Sequence, residues 1–551
     1  MAPSRADVRD PIVQQWDAGG LQPSGIPSPS HIPDLTDGYI NGGEYDDPMS
    51  CGGQGAQGSG SYTPPATEED LRYWRDQDLN EKIMRGVEEN GITRPKGHKV
   101  TYHYNSTVED MHFGKTHPMK PWRLTLAKHL ILGYGLQHAM DTHEAVAAGK
   151  DQVSQFHDPH YVEFLSQVSP TTFDELCRDS RFAKAIPPKH PGDNVDLGPY
   201  NLSTSPGADC PVFADMSTYL FLYTGATLAA ARQLVSDASD IAINWSGGLH
   251  HAHKAEASGF CYINDIVLAI LEMLKRWPRV LYIDIDVHHG DGVEEAFQRE
   301  PRVMTLSFHR YGTYDESQPG HKFFPGTGDV SDRGLRGTIG EHFALNVPIG
   351  AGIDDRQYGG LFEAIVGRAF AAYKPSAIVL QCGADSLGGD RLGQFNLNIK
   401  QHGECIAFVK ALGVPLLLLG GGGYTARNVA RAWCHETALA TDNTLPPNIP
   451  MDLIPEPRAF QGHGNGNGQL YPAFPPNKHI NECKDDQLEM MVKKLDFELR
   501  YVARAPWVMM DRLPTRARQE EELERVREER SRGKAERRRL ERDPGGRGEL
   551  R

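Results

Sequence analysis

Four stretches of this chain share one plan: an unbroken apolar run, then glycine or small residues, then a cluster of polar side chains. They are DIAINWSGGLHH (240–251), VLYIDIDVHHGDG (280–292), AIVLQCGAD (377–385) and VPLLLLGGGGYT (414–425). Runs this uniform suit strands buried on both faces of a parallel sheet. Helical stretches between them complete a βαβ pattern. The expected fold is therefore α/β, an open and mostly parallel sheet with helices on both faces. Ligands of such sheets bind beyond the carboxyl ends of the strands, which is where each polar cluster falls.

Side chains alternate faces along a strand, so Asp284, Asp286 and His288 are expected on one side and Ile283, Ile285 and Val287 on the other. Two carboxylates and an imidazole closing an apolar strand are costly to bury unless something pairs with them. Zinc accepts both donor types. Asp286, His288 and Asp385 would supply three ligands and leave a position open, as a catalytic zinc site requires. Read singly, Asp385 also fits a helix N-cap, and 281–292 also fits a strand entering a polar loop. The tandem His250–His251 offers imidazoles for proton transfer near neutral pH. Each ring needs a carboxylate to fix its tautomer, and Asp284 and Asp291 are the candidates. The glycines 420–423 deliver Tyr424 on a turn, where its hydroxyl would stabilise an oxyanion; a flexible turn with a surface tyrosine is the plainer alternative. No Gly-Lys-Ser/Thr follows these glycines, which excludes a phosphate-binding P-loop.

The 551 residues divide by composition. Residues 1–97 are rich in Gly, Pro, Ser and Asp and too poor in apolar residues to offset chain entropy, so a disordered arm is expected. Within it, 68–90 has a weak helical pattern. The globular pattern spans 98–513, and 514–551 is a charged tail with interleaved signs. A net charge of −15 argues against direct, phosphate-driven or sequence-specific nucleic-acid binding. No apolar run approaches the roughly 18 residues that would span a membrane. The eight cysteines are scattered with no Cys-x-x-Cys pair, which suits free thiols in a reducing setting.

Together these motifs resemble the class I zinc-dependent histone deacetylases, in particular their co-repressor-associated branch. The likeness covers about 99–513. It adds HPMKPWR (117–123), DCPVF (209–213), HHAHKAEASGFCYINDIVLAIL (250–271), FFPGTGD (323–329), GADSLGGDRLGQFNL (383–397) and a closing RAPWVMMDRLP (504–514). The resemblance implies zinc on Asp286, His288 and Asp385, acid/base work by His250 and His251 with Asp284 and Asp291 behind them, and carbonyl polarisation by Tyr424. It implies a rim carboxylate at Asp209 and an acyl-lysine tunnel walled by Phe260 and Phe324 beside Gly259 and Leu392. It further implies an acetate exit passage at Arg123 and potassium near Asp284, Asp286, His288 and Ser307. An inositol polyphosphate would be gripped by Lys120, Arg391 and Arg427. The implied activity is hydrolysis of Nε-acetyl-lysine on histone tails in transcriptional repression. Co-repressor subunits are the implied partners, and the location is nuclear, or nuclear and cytoplasmic.

Three features depart from the family pattern. The connections at 171–208 and 314–323 are longer than usual and lie near the expected mouth. The arm has no counterpart, which is compatible with a fungal or other divergent member. Rival readings are a deacylase for longer acyl-lysines, non-histone proteins or acetylated polyamines, a scaffold with vestigial activity, and a two-metal ureohydrolase of similar fold.

Overall fold

The computed structural model describes residues 68–185, 197–205, 207–314, 322–461, 467–474 and 480–503. Its strands are β1 (Val100–Tyr104), β2 (Asp141–Glu144), β3 (Ile241–Asn244), β4 (Val280–Asp284), β5 (Val303–Arg310), β6 (Ala344–Ile349), β7 (Ala377–Gln381) and β8 (Leu416–Leu419). They form one sheet in the order β2-β1-β3-β8-β7-β4-β5-β6, and every neighbouring pair is parallel. The four runs singled out from the sequence are β3, β8, β7 and β4, adjacent at the centre of the sheet. Their carboxyl ends open side by side.

Strand alternation sorts the core into two layers. Ile241, Ile243, Leu281, Ile283, Ile378, Leu380, Leu416 and Leu418 join the cluster that packs helices Trp122–Gly133, Asp355–Tyr373, Ile399–Ala411, Ala426–Ala440 and Asp485–Val502. Ala242, Val280, Tyr282, Ala377, Val379, Leu417 and Leu419 face the opposite way, toward Met216–Val235, Asp265–Met273 and Asp291–Phe297. Strands apolar on both faces thus have helices on both, as expected. Three of these helices start on a side chain that accepts a backbone N–H: Asn264 from Val267, Asp354 from Gln357 and Asn398 from Gln401. Among the described residues no helix is long and apolar enough to cross a membrane.

Helix Met216–Val235 crosses the 145–148 segment at Gly225, where an added Cβ would lie 1.9 Å from the Val146 carbonyl oxygen. Backbone on both sides leaves little room to yield. Gly225→Ala is therefore expected to lower stability by about 1–3 kcal/mol in chemical denaturation, and an unchanged midpoint would show that the crossing relaxes freely.

Two expectations need correction. The strand containing Asp284 ends there rather than running through His288. Asp284 Oδ1 accepts the Asp286 N–H at 3.1 Å and Asp286 Oδ1 accepts the His288 N–H at 3.0 Å. These local bonds replace the ladder and bend the chain, while Ile285 and Val287 still enter the core. The arm also ends sooner than residue 97. Glu68–Asn90 is a helix with Ile83 buried, Ile92 is buried, and Thr93 N–H donates to Asn443 Oδ1 at 2.9 Å. Sparse apolar residues suffice there because the body supplies the other half of the contact. Residues 1–67 of the expected arm, and 504–551 with the closing motif and tail, lie outside the described residues. Of the two long connections, 186–196, 206 and 315–321 also lie outside them. Phe173, Leu176 and Phe182 of the first are core residues around a short helix, Phe173–Arg178.

Candidate active site

At the mouth of the central strands Asp286, His288 and Asp385 offer ligand atoms that all lie within 4.8 Å of one another, and all three are buried. His288 Nδ1 is 3.1 Å from both Asp286 Oδ1 and Asp385 Oδ2. The remaining carboxylate lone pairs are held by fixed donors. Asp286 Oδ2 accepts the Gly422 N–H at 2.8 Å and the Gln381 side-chain amide at 2.9 Å; Asp385 Oδ1 accepts the Val287 N–H at 2.8 Å. Burial, then the neighbouring Asp286 charge, pushes Asp385 up to about 7. Two carboxylates this close in a dry site call for a cation. Hard oxygens with one imidazole, three ligands in all, fit zinc with an open position. Gly422 is required by close approach: a Cβ there would lie 2.0 Å from Asp385 Oδ2.

The tandem histidines sit against this cluster, each with its own carboxylate. His250 Nδ1 is 2.7 Å from Asp284 Oδ2, and His251 Nδ1 is 2.7 Å from Asp291 Oδ1. Their environments differ. Burial opposes charge on His250, but the Asp284 and Asp286 carboxylates outweigh it and raise the imidazole to about 9. Burial, then the adjacent His250, pushes His251 down to about 4. The two carboxylates thus favour the charged form of His250, and burial favours the neutral form of His251. His250 lies deeper, with Nε2 3.8 Å from Asp286 Oδ2. His251 meets Phe324 edge-on at 5.0 Å between centroids.

Tyr424 is delivered by the glycine run, as expected, and its backbone N–H donates to Asp390 Oδ2 at 2.7 Å. Burial pushes its hydroxyl well above the usual phenol range, so the group stays a neutral donor. Phe260 packs edge-on to Tyr424 at 5.7 Å. Gly259 lies between, where a Cβ would sit 2.4 Å from His251 Cδ2 and 3.0 Å from Phe324 Cε1. Phe324 is 42% exposed over His251, and Phe260 and Leu392 are each partly buried against the cluster that contains Tyr424. Asp209 stands exposed at this rim and accepts the Gly259 N–H at 2.9 Å. Arg123 is buried on the other side of the glycine run. It donates to the Gly423 and Gly421 carbonyls at 2.7 and 2.6 Å and stacks over Trp433, while its Nε has no partner.

The outer residues are less tightly gathered. Lys120 donates to the Gly114 and Lys115 carbonyls; burial and then the nearby Arg391 lower its ammonium. Arg427 is half-buried near Arg431, whose guanidinium is lowered to about 10 by burial and then by Arg427. Ser307 pairs in register with Asp284 and shares a 3.0 Å hydrogen bond with His309.

Several supporting residues escaped the sequence reading. Gln381 spans Asp286 and the Gly383 N–H, and Tyr282 donates to Asp284 Oδ2 at 2.5 Å. Asp265 accepts the Gly248 and Leu249 N–H groups, both at 2.9 Å, which fixes the turn leading to His250. Only Asp265 carried a signal, as a charged residue directly before the apolar run 266–271.

The histone deacetylase domain model matches residues 117–440, more than half of the chain. The chain is 46% identical over 426 residues to histone deacetylase 9 of Arabidopsis thaliana, covering 76% of this chain and 88% of that protein. It is 43% identical over 417 residues to human histone deacetylase 1, covering 76% of this chain and 78% of the relative.

Proposed function

The chain belongs to the histone deacetylase family, and on that premise we propose that it hydrolyses Nε-acetyl-lysine on histone tails with the residues gathered around Asp286, His288 and Asp385. The convergence of those three buried ligand groups between two His–Asp pairs carries this reading. Zinc bound there supplies Lewis-acid polarisation of the scissile carbonyl and a water acidified enough to attack it. His251, neutral and oriented by Asp291, takes the water proton. His250, cationic on Asp284, adds positive charge where negative charge develops. The Tyr424 hydroxyl donates to the forming oxyanion. His251 then returns its proton to the departing lysine nitrogen. Phe260, Phe324, Gly259 and Leu392 would sheath the lysine stem, with Asp209 accepting hydrogen bonds from the substrate backbone. The spare Arg123 Nε–H would meet acetate on its way out.

Tyr424→Phe removes one oxyanion donor and is expected to slow turnover by about 10²–10³-fold with little change in KM. An undiminished kcat would take the hydroxyl out of the reaction. For the substrate, the purified full chain is offered an acetylated histone-tail peptide, its longer-acyl counterpart and an acetylated polyamine in competition. Preferred consumption of the acetylated peptide supports the proposal, and preference for either other substrate replaces it.

Asp284 and Ser307, in register across β4 and β5, would hold potassium with Asp286 and His288. Lys120, Arg391 and Arg427 would grip an inositol polyphosphate where a co-repressor subunit docks. Inositol hexakisphosphate is expected to raise the melting temperature of the full chain, and a K120E/R391E/R427E variant to lose that shift. An equal shift in both would detach these cations from the ligand. Nuclear residence follows from a histone substrate.

A further inference from the structure

We propose that His402 and Glu436 form a buried brace that positions the turn bearing Asp385 and thereby strengthens metal binding. The proposal rests on the reading that Asp286, His288 and Asp385 hold zinc. His402 lies on helix Ile399–Ala411 and Glu436 on Ala426–Ala440, and both side chains are fully buried. His402 Nδ1 hydrogen-bonds the Glu436 carboxylate, and its Nε2 is 3.0 Å from the Gly383 carbonyl oxygen. A carboxylate and a carbonyl only accept, so each ring nitrogen donates and the imidazole is a cation. Burial opposes that charge, but Glu436 outweighs it and raises the imidazole.

A buried ion pair of this kind is a weak source of stability, because desolvation offsets attraction. Glu436 Oε2 also has no hydrogen-bond partner, which adds to the cost. What the pair does hold is a particular peptide. Gly383 packs directly on one carboxylate ligand, with a Cβ there lying 2.0 Å from Asp286 Oδ2, and it precedes the second carboxylate, Asp385, by two residues. Its N–H donates to Gln381 Oε1 at 2.8 Å, and the Gln381 amide reaches Asp286 Oδ2 at 2.9 Å. Trp433 Nε1–H donates to the Cys382 carbonyl at 3.0 Å, and Ala384 N–H to the Gly422 carbonyl at 3.0 Å. His402 restrains the Gly383 carbonyl together with Ser386, whose hydroxyl donates to the same oxygen at 3.2 Å. Loss of the His402 bond leaves that carbonyl to the Ser386 hydroxyl alone, so the peptide is freer to rotate and to shift Asp286 and Asp385 relative to each other. His402 and Glu436 touch no reacting atom; they are positioning residues.

The test measures zinc dissociation by chelator competition and the visible spectrum of the cobalt-substituted full chain. The variants are E436Q, the apolar H402L/E436L, which leaves no lone buried charge, and G225A as a stability control outside the ligand and brace residues. H402L/E436L is expected to bind zinc about 10–100-fold more weakly with altered cobalt bands. E436Q should shift the same way by less, and G225A should leave both readouts unchanged. A folded H402L/E436L protein with wild-type zinc affinity and spectrum overturns the brace. If the double variant does not fold, wild-type values in E436Q overturn it. A wild-type chain that binds no zinc overturns the ligand assignment instead.

Discussion

Asp286→Asn is expected to leave the chain folded, without stoichiometric zinc and at least about 10³-fold slower on acetylated peptide, since the metal's share of transition-state stabilisation is several kcal/mol. The side chain keeps its shape but loses its charge, and its surroundings were built for two acceptors. Oδ1 faces the His288 N–H and ring, and Oδ2 faces the Gly422 N–H and the Gln381 amide. An amide must turn an NH₂ toward one of these donor sets, leaving a buried clash of donors as well as a weaker ligand. Metal analysis, circular dichroism and a peptide assay on one preparation separate the effects. Retained zinc with retained turnover would remove Asp286 from the site. Lost zinc with retained turnover would mean that hydrolysis does not need the metal.

The sheet and the meeting of Asp286, His288 and Asp385 were legible in the sequence because both follow from where apolar runs give way to polar residues. Continuous apolar runs mark central parallel strands, and β3, β8, β7 and β4 are indeed neighbours. Polar residues just past such runs must meet one another, because parallel strands end at the same edge. The support around the ligands was not legible. Gln381 reads as one polar residue closing an apolar strand; its task appears only once β7 lies between β4 and β8. Asp390 looks like any turn aspartate, yet it holds the Tyr424 backbone from across the site. The docking of helix Glu68–Asn90, whose helical pattern is visible in the sequence, was for a similar reason not legible. Its apolar positions are too few to form a core alone, and they suffice only against helix Trp122–Gly133, where a Cβ on Gly86 would lie 2.4 Å from the Gly133 carbonyl oxygen.

The two histidines differ in ways that can be resolved by changing the leaving group. His251→Ala is expected to slow amide hydrolysis by about 10²–10⁴-fold, and more than His250→Ala does. His251 is the neutral ring, held down near 4 by burial and by its neighbour, and it faces Phe324 and the approach to the site. His250, raised to about 9, faces Asp284 and Asp286 in the interior, and those carboxylates favour its protonated form. Departure of an alkylamine needs a proton, whereas a thiolate leaves without one. An S-acetyl analogue with sulfur in place of Nε therefore spares the second task of His251 and leaves the first. The His251→Ala defect should be at least about tenfold smaller on the thioester than on the amide, one such factor corresponding to about 1.4 kcal/mol of barrier, while the His250→Ala defect should be similar on both. Equal His251→Ala defects on the two substrates would confine this residue to water activation and reassign protonation of the amine. A larger substrate dependence in His250→Ala would exchange the roles, with Asp284 rather than Asp291 behind the proton that reaches lysine.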